Sequence, residues 1–213
     1  ALASISFLAG GLVQAGDYLI SNEEDYNTSI ADTLGIPLSS GCAMLGTLTN
    51  WNYNFNDVKW ANGGNEYDQG DMRNNFVSTL NVSSSDNGSI TNGGLFSLSG
   101  SYQQPAGLTL ENTPLYLMVG NGSTIDASTE IAVFVFRNTE DGSLATYPSD
   151  PNFPSSNYLD FLSRDKAAAL GSEWYVECIL GHNTPDGFQL IPEPATATLG
   201  LLGLAALMMR RRR

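Results

Sequence analysis

The chain has 213 residues, 22 acidic side chains against 9 basic ones, and a formal net charge of −13 at pH 7. Four of the basic residues are the terminal Arg210, Arg211, Arg212 and Arg213, which leaves only Lys59, Arg73, Arg137, Arg164 and Lys166 to offset the acids. Such a surface repels phosphate backbones and stays soluble by self-repulsion, which argues against nucleic-acid binding.

At the start, Ala1 to Leu12 is an apolar stretch, and Val13-Gln14-Ala15 fits the small-residue pattern of a secretory cleavage site. A charged n-region and an initiator Met are missing, so residues 1–15 are expected to be the remnant of a signal peptide truncated at its start. Residues 16–187 then form one acidic ectodomain of ordinary size. Its dominant pattern is short apolar runs separated by Gly, Asn, Asp, Ser and Pro clusters. The expected strands are Asp17 to Ser21, Ala43 to Thr49, Phe76 to Val82, Leu95 to Tyr102, Leu108 to Leu110, Leu115 to Val119, Glu130 to Phe136, Trp174 to Leu180 and Phe188 to Ile191. Phe76 to Val82 and Leu95 to Tyr102 alternate polar with apolar for part of their length, as a strand with one wet face requires. Asp86-Asn87-Gly88, Asn92-Gly93-Gly94, Asn121-Gly122 and Glu140-Asp141-Gly142 are turn signals between them. Many short strands at this spacing predict an all-β fold, a β-sandwich or jelly roll.

Two cysteines, Cys42 and Cys178, lie far apart in this sequence. In an oxidising compartment a disulfide between them would close a long loop and contribute about 4 to 5 kcal/mol by chain entropy. Both flank apolar residues in strand-like stretches, so two buried free thiols are the alternative.

Trp51, Tyr53, Phe55, Trp60 and Tyr67 crowd one region with Asn and Asp. Aromatic faces stack on sugar rings while amides bond hydroxyls, so Trp51, Tyr53 and Trp60 are a candidate glycan platform. Their bland reading is core, because period-two spacing puts Trp51, Tyr53 and Phe55 on one strand face. The loop Asn62 to Asp71 follows, in which Glu66, Asp68 and Asp71 could offer oxygen ligands to Ca²⁺, although the spacing misses the EF-hand pattern and a solvated loop explains it as well. The same acids could serve as a glycosidase pair, as could many other acidic pairs in the chain.

One helix is expected over Asn157 to Leu170, with Ser155 or Ser156 capping its start and Gly171 its end. Tyr158, Phe161, Leu162 and Ala169 share one of its sides, which should pack on the sheets. The single histidine, His182, rules out zinc sites built on several histidines and reads as a turn residue after a strand. No Gly-x-Ser-x-Gly elbow, phosphate-binding loop, dinucleotide fingerprint or His-Glu-x-x-His appears. No catalytic residues and no cofactor are expected. A Ser-His-Asp triad would have to assemble in space without a local signature.

Residues 188–191 are a last strand or linker. Then come Pro192-Glu193-Pro194, fifteen uncharged residues from Ala195 to Met209, and four arginines. As a helix the run is roughly 22 Å long, short of a bilayer core of about 30 Å. Arginine stems that snorkel outward, or local thinning, close part of that gap. The arginines set the C-terminus on the cytoplasmic side, which leaves everything before Pro192 outside. Each proline lacks an N–H and disfavours helix in the residue before it, so the helix starts near Ala195 and the motif stays extended.

Motif, apolar run and basic stop, in this order, resemble the PEP-CTERM sorting signal, whose substrates in Gram-negative bacteria are cut by a membrane protease of the exosortase type. The resemblance is confined to residues 192–213. The Leu-Pro-x-Thr-Gly of Gram-positive sortase anchoring is absent. The resemblance implies Pro192, Glu193 and Pro194 as sorting motif, a membrane anchor carried by Ala195, Leu199, Leu201, Leu202, Leu204, Leu207, Met208 and Met209, and Arg210 to Arg213 as stop. It implies a precursor held transiently in the inner membrane, an exosortase-like partner, and delivery to the cell surface or extracellular matrix. With no catalytic signature in the ectodomain, the expected role is structural or adhesive, with extracellular polysaccharide as a candidate partner. A carbohydrate-binding module and a secreted hydrolase are the alternatives.

Overall fold

A computed structural model describes residues 17–22, 28–49, 69–81, 88–91, 93–102, 105–147 and 157–192. The strands are β1 (Asp17–Ser21), β2 (Ser29–Ala31), β3 (Gly41–Leu48), β4 (Phe76–Ser78), β5 (Leu80–Asn81), β6 (Ser89–Ile90), β7 (Ser97–Tyr102), β8 (Tyr116–Gly120), β9 (Glu130–Asn138), β10 (Asn157–Asp160), β11 (Trp174–Leu180), β12 (His182–Thr184), β13 (Gly187–Gln189) and β14 (Ile191–Pro192). Two seven-residue helices, α1 (Gln69–Asn75) and α2 (Arg164–Leu170), accompany them. The described residues are thus all-β in build. They form a four-stranded sheet in the order β10-β1-β7-β5, a seven-stranded sheet β11-β9-β8-β3-β4 with β6 on β3 and β14 on β9, and a three-stranded sheet β12-β13-β2.

The large sheet is apolar on both faces. All of β8 and the stretch Ile131 to Phe136 of β9 are buried, which is why these segments read as continuous apolar runs rather than as alternation. One face carries Ala43, Leu45, Leu117, Val119, Ala132, Phe134 and Phe136, which share a single cluster with Tyr18, Ile20, Leu98 and Leu159 of the four-stranded sheet. The opposite face carries Met44, Tyr116, Met118, Ile131, Val133 and Val135, packed with Met72 of α1, Ile125 and Leu144. Phe134, Phe161 and Phe188 meet edge to face with ring centroids 4.9 to 5.1 Å apart, and Phe96 joins Phe161 at 5.2 Å. Phe134 lies on the seven-stranded sheet, Phe188 on the three-stranded one, and Phe161 directly follows β10 of the four-stranded one, so this cluster pins the three sheets together.

A buried amide closes the end of β1. Asn22 Nδ2 donates to the carbonyls of Thr28 (2.7 Å) and Gly94 (2.8 Å), and its Oδ1 accepts from the Phe96 N–H at 2.6 Å. Three well-formed bonds repay the desolvation of that side chain.

Several expectations are met residue for residue: β1 and β11 span the segments read from the sequence, and the Glu140-Asp141-Gly142 turn is present, with the Ser143 N–H donating to Asp141 Oδ1 at 2.8 Å. Others are corrected. Asn157 to Leu170 is not one helix. Its first four residues are β10, which pairs in parallel with β1 from Tyr18↔Asn157 to Ser21↔Asp160, and the helix begins only at Arg164, behind Ser163 as N-cap. Gly171 ends it in the left-handed conformation, as expected. Leu108 to Leu110 forms no strand; Leu110 is buried, and its carbonyl accepts from the N–H and hydroxyl of Thr113 in a turn. Phe76 to Val82 is broken at Thr79, whose hydroxyl pairs with that of Tyr147. Phe188 to Ile191 is also broken, because at Leu190 the chain passes from the three-stranded to the seven-stranded sheet.

The disulfide is the clearest correction. Cys42 and Cys178 are buried free thiols. Cys42 sits on β3 and Cys178 on β11, three strands apart in the sheet order, and they face its opposite sides. At about 4.8 Å per strand their separation far exceeds the reach of a disulfide, whose Cα atoms lie within about 7 Å.

Candidate functional site

Of the residues proposed for a glycan platform, a cation site or a triad, the structure describes only His182 and Asp71. His182 lies in β12 opposite Gln189, half-buried, as a strand residue rather than the expected turn residue. Asp71 is part of α1 rather than of a loop. Trp51, Tyr53, Trp60, Glu66 and Asp68 lie outside the described residues. Among the described residues no three His, Cys, Asp or Glu side chains come together in an arrangement that could hold a metal ion. The two thiols are also poor nucleophiles: burial pushes Cys42 up to about 11 and raises Cys178 further, and the Cys178 thiol donates to the Leu180 carbonyl at 3.3 Å.

Among the described residues the most organised polar constellation lies where the chain arrives at Pro192. β2 and β13 run side by side in parallel, with Ser29, Ile30 and Ala31 opposite Gly187, Phe188 and Gln189. The parallel course continues past the strands, as the Leu190 N–H donates to the Ala31 carbonyl at 2.9 Å and Gln189 Nε2 to the Thr33 carbonyl at 2.6 Å. Beyond this point one chain enters the turn Asp32 to Pro37, and the other enters β14 and reaches Pro192. Both touch the first residue of β9. Glu130 accepts from the Thr33 N–H at 3.2 Å and from the Thr33 hydroxyl at 2.8 Å, and Pro192 stands opposite Glu130 in the ladder. Asn121 fixes the β9 backbone there, its Oδ1 accepting from the N–H groups of Thr129 (2.9 Å) and Glu130 (3.2 Å).

The turn is tightly self-bonded. Asp32 Oδ1 accepts from the N–H groups of Leu34 and Ile36, each at 2.9 Å. The Asp32 carbonyl takes the Gly35 N–H, and the Asp32 N–H donates to the Ile36 carbonyl, both at 2.9 Å. Gly35 has φ +80°, a conformation that suits glycine. This frame holds out two apolar side chains, Leu34 at 80 % exposure and Ile36 at 59 %. The large exposed apolar side chains among the described residues are these two and Leu170.

The sequence reading missed Thr33, Leu34, Ile36, Glu130 and Gln189 as members of one site. A local signal existed in Asp32-Thr33-Leu34-Gly35-Ile36-Pro37: a side-chain acceptor, a glycine three residues on and a proline after it are turn chemistry, and the apolar residues between them have no strand partner to cover them. Of the predicted sorting residues only Pro192 is described, exposed at the end of β14. Glu193, Pro194, the anchor residues Ala195 to Met209 and the stop Arg210 to Arg213 lie outside the described residues. Among the described residues no helix is long and apolar enough to cross a membrane. No family model matches the chain, and neither a curated protein nor a solved structure proved similar to it.

Proposed function

We propose that this chain is an exported, non-enzymatic β-sandwich protein of the cell surface or extracellular matrix, delivered through a C-terminal sorting tail. In this reading Ala195 to Met209 hold the precursor in the inner membrane. Arg210 to Arg213 stay on the cytoplasmic side, and an exosortase-like protease cuts near Pro192-Glu193-Pro194. The released domain serves an adhesive or structural role, with extracellular polysaccharide as its candidate partner.

The observation that carries the reading is the position of Pro192. Among the described residues the last strand, β14, reaches Pro192, the first residue of the motif, and Glu193 and Pro194 stand between it and the uncharged run. A proline lacks the N–H that a further ladder bond needs, so it suits the last position of an edge segment. A cut after this point leaves every described strand in place.

Intact mass and membrane fractionation of the protein from its native cell, with and without the sorting protease, test the proposal. A product ending near Pro192, and leaving the membrane only when the protease is present, is the expected result. A full-length product in the membrane under both conditions would make the tail a permanent anchor and remove the release step.

A further inference from the structure

From the Asp32–Pro37 turn we infer a membrane-contact tip: Leu34 and Ile36 enter the boundary between headgroups and acyl chains of the same bilayer that holds the tail. The inference rests on the proposed membrane tail and adds to it an orientation of the folded domain and a second contact with lipid.

Three independent features lead there. The first is direction. Because β2 and β13 are parallel, the chain entering the turn and the chain entering β14 leave the three-stranded sheet at the same end. The Glu130 carboxylate binds Thr33 while Pro192 stands across the ladder from Glu130, so tip and tail exit are neighbours. Glu193 and Pro194 are the only residues between Pro192 and the uncharged run, and the three steps from Pro192 to Ala195 reach at most about 11 Å. A tail in the bilayer therefore brings this end of the domain, and not another, to the membrane surface.

The second is chemistry. A backbone segment entering a low-dielectric layer must satisfy its polar groups internally. The N–H groups of Leu34, Gly35 and Ile36 are all bonded within the turn, to Asp32 Oδ1 and the Asp32 carbonyl. The two carboxylates at its base are occupied as well: Asp32 by those amides and Glu130 by Thr33. The third is exposure. A folded domain seldom holds a leucine at 80 % and an isoleucine at 59 % exposure side by side on a stiff support without something to cover them. Residues 32–37 themselves carry no Lys or Arg, so the contact made by Leu34 and Ile36 is apolar and should survive high salt.

The test uses the full chain reconstituted in phosphatidylcholine vesicles, with an environment-sensitive fluorophore attached at Leu34→Cys. The native thiols, Cys42 and Cys178, are buried and do not compete for label under folding conditions. The same label at Glu140→Cys is the reference, because Glu140 follows the far end of β9, about 27 Å along the strand from Glu130. The expected result is a blue shift and quenching by lipid-borne quenchers at position 34, neither at position 140, and no change at position 34 in 1 M salt. A probe at position 34 that stays in water while the chain remains with the vesicles overturns the tip and leaves the tail reading intact. A chain that does not associate with vesicles overturns the tail reading, and the tip with it. A blue shift at position 34 without lipid identifies a protein contact and likewise overturns the inference.

Discussion

Thr33 and Glu130, 97 positions apart, are joined by two hydrogen bonds, from the Thr33 N–H at 3.2 Å and from its hydroxyl at 2.8 Å, one to each carboxylate oxygen. This pair fixes the Asp32–Pro37 turn to the start of β9, and β9 is the strand that Ile191 and Pro192 pair with. Glu130→Ala should therefore loosen the turn more than the sheet. Loss of both bonds should cost about 1 to 2 kcal/mol, because the pair is only partly buried and water replaces part of what is lost. Glu130→Gln keeps one acceptor and should cost about half as much. Denaturant midpoints give the totals. Hydrogen exchange should show faster exchange at Leu34, Gly35 and Ile36 in Glu130→Ala, with the amides of Ala132 to Phe136 unchanged. Uniform loss of protection across β9 would mean that Glu130 stabilises the sheet instead.

Part of this architecture was legible in the sequence. Asp17 to Ser21 and Trp174 to Leu180 carry enough local apolar and β-branched character to be found without knowing their partners. What escaped depends on partners distant in sequence. Tyr158, Phe161 and Leu162 have helical spacing, yet Asn157 to Asp160 pairs with β1, 139 residues earlier in the chain. Ser29 to Ala31 and Gly187 to Gln189 are three-residue strands that exist because each is the other's neighbour. The same limit hid the site: Asp32 and Gly35 announce a turn, while nothing near Glu130 announces that it holds Thr33. The disulfide went wrong because spacing along the chain carries no information on which face of a sheet a cysteine takes.

Gly35 and Gly94 should respond differently to an added methyl group. At Gly35 a Cβ meets nothing within 4 Å, so Gly35→Ala carries only the strain of φ +80°, about 1 kcal/mol. At Gly94, φ +71°, a Cβ would collide with the backbone carbonyl and amide of Ile30, so Ala there forces β2 away from its neighbours. Thermal unfolding should show a small shift for Gly35→Ala and a much larger one for Gly94→Ala. Equal shifts would contradict the close approach of Gly94 to β2.

The thiols yield a third prediction. With Cys42 and Cys178 on opposite faces of the large sheet, the folded protein should titrate as two thiols only after unfolding, and a reducing agent should leave its denaturant midpoint unchanged. The raised Cys42 value, about 11, and the still higher Cys178 keep both as slow-reacting thiols at neutral pH. An intact mass lower by two hydrogens in the native protein would show a disulfide and overturn this arrangement.

Phe161 should be among the most sensitive core positions. It touches Phe96, Phe134 and Phe188, and with them joins three sheets. Phe161→Ala removes a fully buried ring and should cost about 3 to 5 kcal/mol; Phe161→Leu, closer in volume, should cost less than half of that. Urea unfolding of the two variants checks the ratio. A cost of about 1 kcal/mol for the alanine variant would mean that the three sheets are held together elsewhere.

Alkaline pH should unfold the protein through its buried phenols. Burial raises Tyr18 and Tyr116 from 10.0 to about 12, and Tyr147 further still, even though the hydroxyl of Thr79 beside it acts in the opposite sense. In the unfolded chain these groups ionise near 10.0, so between there and 12 the unfolded state has released protons that the folded state still holds. Stability is thus fully present below about pH 7.5, where the thiols of the unfolded chain, which ionise near 8.5 to 9, also remain protonated; it falls as pH rises, first through the two buried thiols and then through the phenols. The slope approaches roughly 1.4 kcal/mol per pH unit for each buried phenol. Urea midpoints measured at pH 8 and pH 11 should differ accordingly. Tyr147→Phe should start about 1 kcal/mol lower, having lost its bond to Thr79, and should decline less steeply because one ionising group is gone. Identical slopes for the wild type and this variant would show that Tyr147 reaches solvent before it ionises.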